Sequence, residues 1–278
     1  MTYPLLEAED LQPLLESGSA VIFDCRFSLA DFSQGRNQYL QGHIPGAYHL
    51  DMESDLSGPK GSYGGRHPLP NPVLFTTRMR ECGVNTDTLV IAYDDNRMAG
   101  ASRLWWLMNY FGHRNVQVLN GGIKAWVQQG GNLNTDIPET QHGNFTASPN
   151  PAMVAEMEEL KRNGDRLTLI DAREKARYLG QEEPIDPVAG HIPEAINMPW
   201  QSLTSDQGRF LAPEQQQQQW ATLGPLDSPV VYCGSGVTAC VDLLSLTLTG
   251  VPDARLYSGS WSDWCGYPDN PVATGLIA

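Results

Sequence analysis

GHIPGA at residues 42–47 and GHIPEA at residues 190–195 place the same short phrase twice in one chain. VIFDCR (21–26) precedes the first copy, and LVIAYD (89–94) and LNGGIKAW (119–126) follow it. Around the second copy, LIDAR (169–173), VVYC (230–233) and YSGSWSDW (257–264) stand in the same order. The spacing between matching blocks drifts along the chain, as loop insertions within a duplicated unit would cause. Four ordered blocks imply two homologous domains. Between them DIPETQHGNFTASPNP (136–151) has three prolines and no apolar period, which reads as an extended linker. The expected division is therefore a domain over 1–135, a linker over 136–150 and a second domain over 151–278.

Each half alternates short β-rich runs with helix-like stretches. Residues 19–25, 88–93 and 229–233 read as strands. Residues 99–111 and 237–249 have the length and apolar content of helices. Alternation of this kind predicts an α/β fold with a parallel sheet flanked by helices in each domain. Ligands of such sheets sit at the carboxyl ends of the strands. The glutamine run 215–219 reads as a solvated helix face.

Hydrophobic residues make up 41% of the 278 residues and charged residues 18%, enough for a sizeable core. A net charge of −14 argues against a nucleic-acid or anionic-membrane partner. No apolar run approaches the roughly 18 residues that cross a bilayer. The first residues, MTYPLLEAEDL, lack the basic start and apolar stretch of a secretory leader. Five cysteines, an odd number, suit reduced thiols in a cytoplasm better than a disulfide framework. They have no metal-ligand spacing, so no metal and no cofactor is expected.

Chemistry concentrates at VVYCGSGVTAC (230–240), where Cys233 ends a strand and Gly234, Ser235, Gly236, Val237 and Thr238 lead into a helix. An ordinary buried thiol before a turn is one reading. The other is a nucleophile in a ring of backbone amides. Glycines allow positive φ, which turns N–H groups inward, and the helix N-terminus adds positive potential. Both favour a thiolate. The first half carries Asp94 at the matching position, which suggests that this place is an exposed pocket floor. Cys240 reads as core packing, and Cys25, Cys82 and Cys265 lie in no motif.

The paired GHIP blocks, CGSGVTAC and YSGSWSDW resemble the two-domain rhodanese-type sulfurtransferases, nearest their 3-mercaptopyruvate branch. The likeness spans essentially the whole chain. It implies two tandem rhodanese-like domains with the site in the interdomain cleft, on the second. Cys233 would form a persulfide after attacking the sulfur of 3-mercaptopyruvate, and a thiol acceptor such as thioredoxin, or cyanide, would take the outer sulfur. Loop residues Gly234, Gly236, Val237 and Thr238 would line the substrate, Thr238 bonding the sulfur or capping the helix. Arg177 in DAREKARYLG matches the arginine that grips the donor carboxylate, while Arg173, like Arg26, reads as structural. Ser235 would share proton transfer with a histidine and an aspartate of the first domain. His43 matches that histidine, although its twin His191 points to a backbone-bonded motif residue; His67 is the other candidate, and Asp31 is the candidate acid.

One departure stands out. The branch carries a second arginine shortly before the GHIP block, and EEPIDPVAGHIP (182–193) has Asp186 there and no base. Thiosulfate-preferring relatives carry basic residues inside the loop, and Gly234 and Ser235 are neutral, so mercaptopyruvate is expected as donor with thiosulfate as the alternative. A cysteine phosphatase would need His before the cysteine and Arg six places after it, where Tyr232 and Ala239 stand. A non-catalytic binding module would have lost the cysteine.

Overall fold

A computed structural model describes residues 3–163 and 166–276. The chain divides into two compact units. The first comprises residues 1–58, 70–150 and 206–210, the second residues 59–69, 151–205 and 211–278. Each unit thus takes in a short segment from the other half of the sequence, which the repeat pattern does not signal.

The first unit holds β1 (Leu5–Leu6), α1 (Leu11–Ser17), β2 (Ala20–Asp24), α2 (Gln34–Gln41), β3 (Tyr48–His49), α3 (Pro72–Glu81), β4 (Leu89–Tyr93), α4 (Ala99–Tyr110), β5 (Val116–Leu119) and α5 (Gly122–Gln128). Its five strands run parallel in the order β1-β5-β4-β2-β3. The second unit holds α6 (Met157–Asn163), β6 (Leu169–Asp171), α7 (Lys175–Tyr178), β7 (Ile196–Asn197), α8 (Pro213–Ala221), β8 (Val230–Tyr232), α9 (Ala239–Leu248), β9 (Arg255–Leu256) and α10 (Ser260–Trp264). Its strands are parallel in the order β7-β6-β8-β9, and a parallel bridge from Val154 to Leu256 extends the edge. The central strands β4, β5, β6 and β8 are buried over most of their lengths, as strands covered on both faces must be. The expected α/β architecture is the one observed.

Duplication reaches the hydrogen bonds. Tyr93 and Tyr232 accept the amides of Ile44 and Ile192 on their hydroxyls, at 3.2 and 3.1 Å. The indoles of Trp126 and Trp264 donate to the carbonyls of Asn132 and Pro271, both at 2.9 Å. Each of these indoles is about 2% exposed and anchors its unit's core beside the matching tyrosine. Burying a ring of that size contributes up to about 5 kcal/mol.

Residues 136–150 carry no helix or strand and lie along the first unit. The amides of Gln141, Gly143 and Phe145 donate to Glu81, Arg80 and Val84. The glutamine run differs from the expected solvated face at one position. Gln216 is buried, accepting from the Ser245 hydroxyl at 2.6 Å and donating to the Leu211 carbonyl at 2.7 Å.

Candidate active site

The loop after β8 is fixed from both sides. The carbonyls of Cys233 and Gly234 accept the amides of Trp261 and Ser262 at 2.9 Å each, so the start of α10 holds the loop backbone. The Cys233 amide donates to the Ser260 hydroxyl at 3.2 Å. Gly236 has φ +81, and a Cβ there would stand 2.6 Å from the Ser258 carbonyl oxygen. Only glycine meets both conditions. In that conformation its amide donates to Cys233 Sγ at 3.2 Å. The YSGSWSDW block therefore shapes the cysteine loop, which is the physical reason for the two appearing together.

Cys233 is 2% exposed. Burial pushes three thiols away from ionisation: Cys82 up to about 12, Cys265 up to about 11, and Cys25 well up, with the charges of Asp24, Asp94 and Asp55 adding to the last. Cys240 turns its sulfur to the Gly236 carbonyl at 3.4 Å. Val237 is buried in the loop, and Thr238 takes the N-cap position of α9 without a side-chain capping bond. One buried carboxyl was not foreseen: in α9, neither oxygen of Asp242 has a hydrogen-bond partner among the described residues. Burial, with Cys233 and Asp171 nearby, pushes that group well above the carboxylate range.

Arginines surround the loop. Arg177 Nη1 and Nη2 stand 3.5 Å from the point where a Cβ on Gly234 would lie. Its guanidinium bonds Glu183 at 2.7 and 3.2 Å and Asp186 at 3.2 Å. Burial alone would raise Glu183, but the Arg177 bond and the amides of Asp186 and Ile185 hold it below the usual range. Burial raises Asp186, with Glu183 adding to it, against the pull of Arg66 and Arg177. Arg173 is buried at 1% exposure and bound to Asp171 at 2.5 Å and the Gly190 carbonyl at 2.7 Å. Arg26 repeats this with Asp24 at 2.5 Å and the Gly42 carbonyl at 2.8 Å. Both are braces, as expected.

The structure bears on three expectations, and the exposure of Asp94 is the one it overturns. His43 is fully buried, stacked 3.9 Å from Tyr39, with its ring nitrogens against the carbonyls of Tyr39 (2.7 Å) and Asp136 (3.1 Å). His191 does the same with Tyr178. His43 is thus a structural member of the GHIP motif, and the histidine beside the loop is His67, whose Nδ1 lies 2.7 Å from Ser235 Oγ. Asp94 is not an exposed pocket floor: it is 1% exposed and accepts the amides of Asn96, Met98 and Ala101 at 2.7, 3.0 and 2.9 Å. Its own carboxylate fills the amide cradle of the first unit. Asp31 is exposed, and among the described residues its carboxylate accepts only from the Ser33 amide and hydroxyl.

Sequence reasoning also missed Arg66. It arrives with segment 59–69, pairs through Nη1 with Asp186, and brings Nη2 to 2.9 Å from the Cβ position on Gly234. Its neighbour His67 reads in the sequence only as the second candidate after His43, because nothing in the local sequence says that this segment packs on the second unit.

The Rhodanese-like domain family matches this chain twice, over residues 7–129 and 153–267. The chain belongs to the rhodanese family. Among its relatives, a probable 3-mercaptopyruvate sulfurtransferase of Pseudomonas aeruginosa is 42% identical over 278 residues, covering 98% of each chain. A putative thiosulfate sulfurtransferase of Mycobacterium tuberculosis is 38% identical, covering 98% of this chain and 97% of the relative. The crystal structure of a 3-mercaptopyruvate sulfotransferase of Escherichia coli superposes with a TM-score of 0.83 at 33% identity, covering 94% of this chain and all of that one. The match of both halves to one rhodanese family accounts for the repeated bonds described above. Among the described residues no helix is long and apolar enough to cross a membrane.

Proposed function

We propose that this chain is a 3-mercaptopyruvate sulfurtransferase working through a persulfide on Cys233. The observation that carries the reading is Cys233 Sγ at the end of β8, receiving the Gly236 amide, with the Arg177 guanidinium beside an uncharged Gly234–Ser235 pair. Arg177 grips the donor carboxylate, for which a planar fork is suited. The Cys233 thiolate attacks the donor sulfur, and the carbon–sulfur bond breaks with its electron pair passing to carbon, giving the enolate of pyruvate. The proton of the donor thiol passes through Ser235 to His67 and ends on the enolate carbon. Pyruvate leaves, and the outer sulfur stays on Cys233 as a persulfide anion stabilised by the loop amides. A thiol acceptor such as thioredoxin, or cyanide, then takes that sulfur and regenerates the thiolate.

The names of the relatives support both donors, and thiosulfate is the second reading. The neutral loop favours mercaptopyruvate, because a compact dianion gains no charge from Gly234 or Ser235. All five cysteines are free thiols, which suits a cytoplasmic reaction with small-molecule donors and no nucleic-acid or membrane partner. Initial rates with each donor, cyanide as acceptor, test the assignment. Mercaptopyruvate is expected to lead in kcat/KM by at least about tenfold. A lead for thiosulfate would move the chain to the second reading, and no turnover of either would remove both.

A further inference from the structure

Cys233 is 2% exposed, so a sulfur acceptor must reach it on a narrow stem while the rest of the acceptor lies outside the loop. A groove in the second unit begins beside that loop. Arg66 and Asp186 line its inner end, and Arg66 Nη2 stands 2.9 Å from the Cβ position on Gly234. Lys60, Gly61 and Tyr63 line it from one segment, Ile185 and Pro187 from another, and Ser262, Asp263 and Gly266 from α10 and the turn after it.

The groove is built in advance of any ligand. Gly65 has φ +83, and a Cβ there would run into the Gly259 carbonyl, so the segment lies tight against the start of α10. The Gly64 amide donates to Asp263 at 2.7 Å, the Arg66 amide donates to the Ser262 hydroxyl at 3.1 Å, and Tyr63 stacks on Tyr267 at 4.5 Å. The acids are committed. Asp186 pairs with Arg66 and Arg177, and Asp263 accepts the Gly64 amide and, at 2.8 Å, the Tyr257 hydroxyl. Among the described residues the Lys60 ammonium has no ion pair or hydrogen bond.

These surfaces define what fits. Tyr63 and Ile185 are 59% and 46% exposed, an aromatic and an aliphatic face open to solvent. Gly61 and Gly266 are exposed and have no side chains, so main-chain groups there are open to a peptide unit. In a chain of net charge −14, the unpaired Lys60 is the place where a carboxylate gains. Cyanide or a simple alkyl thiol would use none of the three. We propose that this groove is the acceptor subsite and that it takes a short peptide thiol with a free carboxylate. The peptide lies against Tyr63 and Ile185, its carboxylate meets Lys60, and its thiol passes Arg66 to the loop. The thiol sulfur bonds the outer sulfur of the Cys233 persulfide anion. The Sγ–S bond breaks with its electron pair returning to Sγ, and the thiol proton leaves with the new peptide persulfide.

The inference rests on the sulfur-transfer reading for its chemistry, and the groove is tested without turnover. Calorimetric titration of the unloaded protein with S-methylglutathione reads the subsite, while sulfur loading by mercaptopyruvate is read separately by mass. Tyr63→Ala is expected to weaken S-methylglutathione by about tenfold, and Lys60→Glu by about fivefold, the scale of an exposed charge contact reversed. With glutathione as acceptor KM should rise by the same factors, while sulfur loading and turnover with cyanide or 2-mercaptoethanol stay within about twofold. Because Tyr63→Ala also removes the stack on Tyr267, Ile185→Ser serves as the independent variant and should weaken S-methylglutathione in the same direction. No binding by the wild type, unchanged affinity in K60E and I185S, or an equal loss with all three acceptors would overturn the proposal. Failure of sulfur loading with the binding shifts intact would strike the sulfur-transfer reading alone.

Discussion

At the scale of single residues, Gly236 and two histidines separate chemistry from scaffolding. Gly236→Ala puts a Cβ into the Ser258 carbonyl at a positive φ, so the loop must move and its amide leaves Cys233 Sγ. Displacing a reacting group by about 1 Å costs roughly 100-fold, and kcat of this variant is expected to fall by that factor while the thermal midpoint changes little. His67→Gln is expected to slow sulfur loading by about 100-fold through loss of proton transfer. His43→Gln should instead lower stability with kcat retained, because its ring serves the Tyr39 and Asp136 carbonyls. Stopped-flow loading and urea unfolding of the two variants distinguish these outcomes, and the opposite pattern would restore His43 to the relay. The sequence made Cys233 legible, since strand, glycines and helix lie within a dozen residues. His67 and Arg66 were illegible in role, because a segment distant along the chain carries them to the loop.

At the scale of elements, α7 and the turn that leads into it from β6 carry two arginines four residues apart that the structure puts to different uses. Arg173 is buried and braces Asp171 and the Gly190 carbonyl, so Arg173→Ala leaves a buried carboxylate unpaired. Loss of one partner of such a pair costs about 3–5 kcal/mol, and urea unfolding should register it. The carboxylates bonded by Arg177 each keep a second cation, Glu183 that of Arg173 and Asp186 that of Arg66, so Arg177→Ala should cost less stability than Arg173→Ala while raising KM for the donor. Equal stability losses would contradict the distinction. Here the repeat was the informative signal: Arg26 at the matching place marks Arg173 as a brace, and Arg177 has no twin. The strands and long helices followed from apolar runs and their punctuation. Burial of Gln216 did not, because a polar side chain satisfied inside the fold by Ser245 and a backbone carbonyl looks the same in sequence as a solvated one.

At the scale of the whole molecule, the matching loops hold a thiol in one unit, Cys233, and a buried acid in the other, Asp94. Burial raises Asp94 to about 6, against the three amides that favour its ionised form. The folded state therefore holds a proton that the unfolded chain releases near pH 4, about the ordinary Asp value. Its contribution to stability is complete below that pH and is lost as pH rises through about 6. Relative to Asp94→Asn, the wild type should lose on the order of 3 kcal/mol between pH 4 and pH 7 in urea unfolding. Parallel pH profiles would contradict this. The duplication itself was legible from four short blocks, and so was the inequality of the halves, from Asp94 facing Cys233 in the comparison. The exchange of segments 59–69 and 206–210 was not, since their packing depends on long-range contacts and their composition is that of ordinary loops. The central claim is that one thiol of five carries the transferred sulfur. Peptide mass mapping after one equivalent of mercaptopyruvate should find a single added sulfur atom on the Cys233 peptide and none in Cys233→Ser; the same adduct persisting in that variant, or residing on another cysteine, would contradict it.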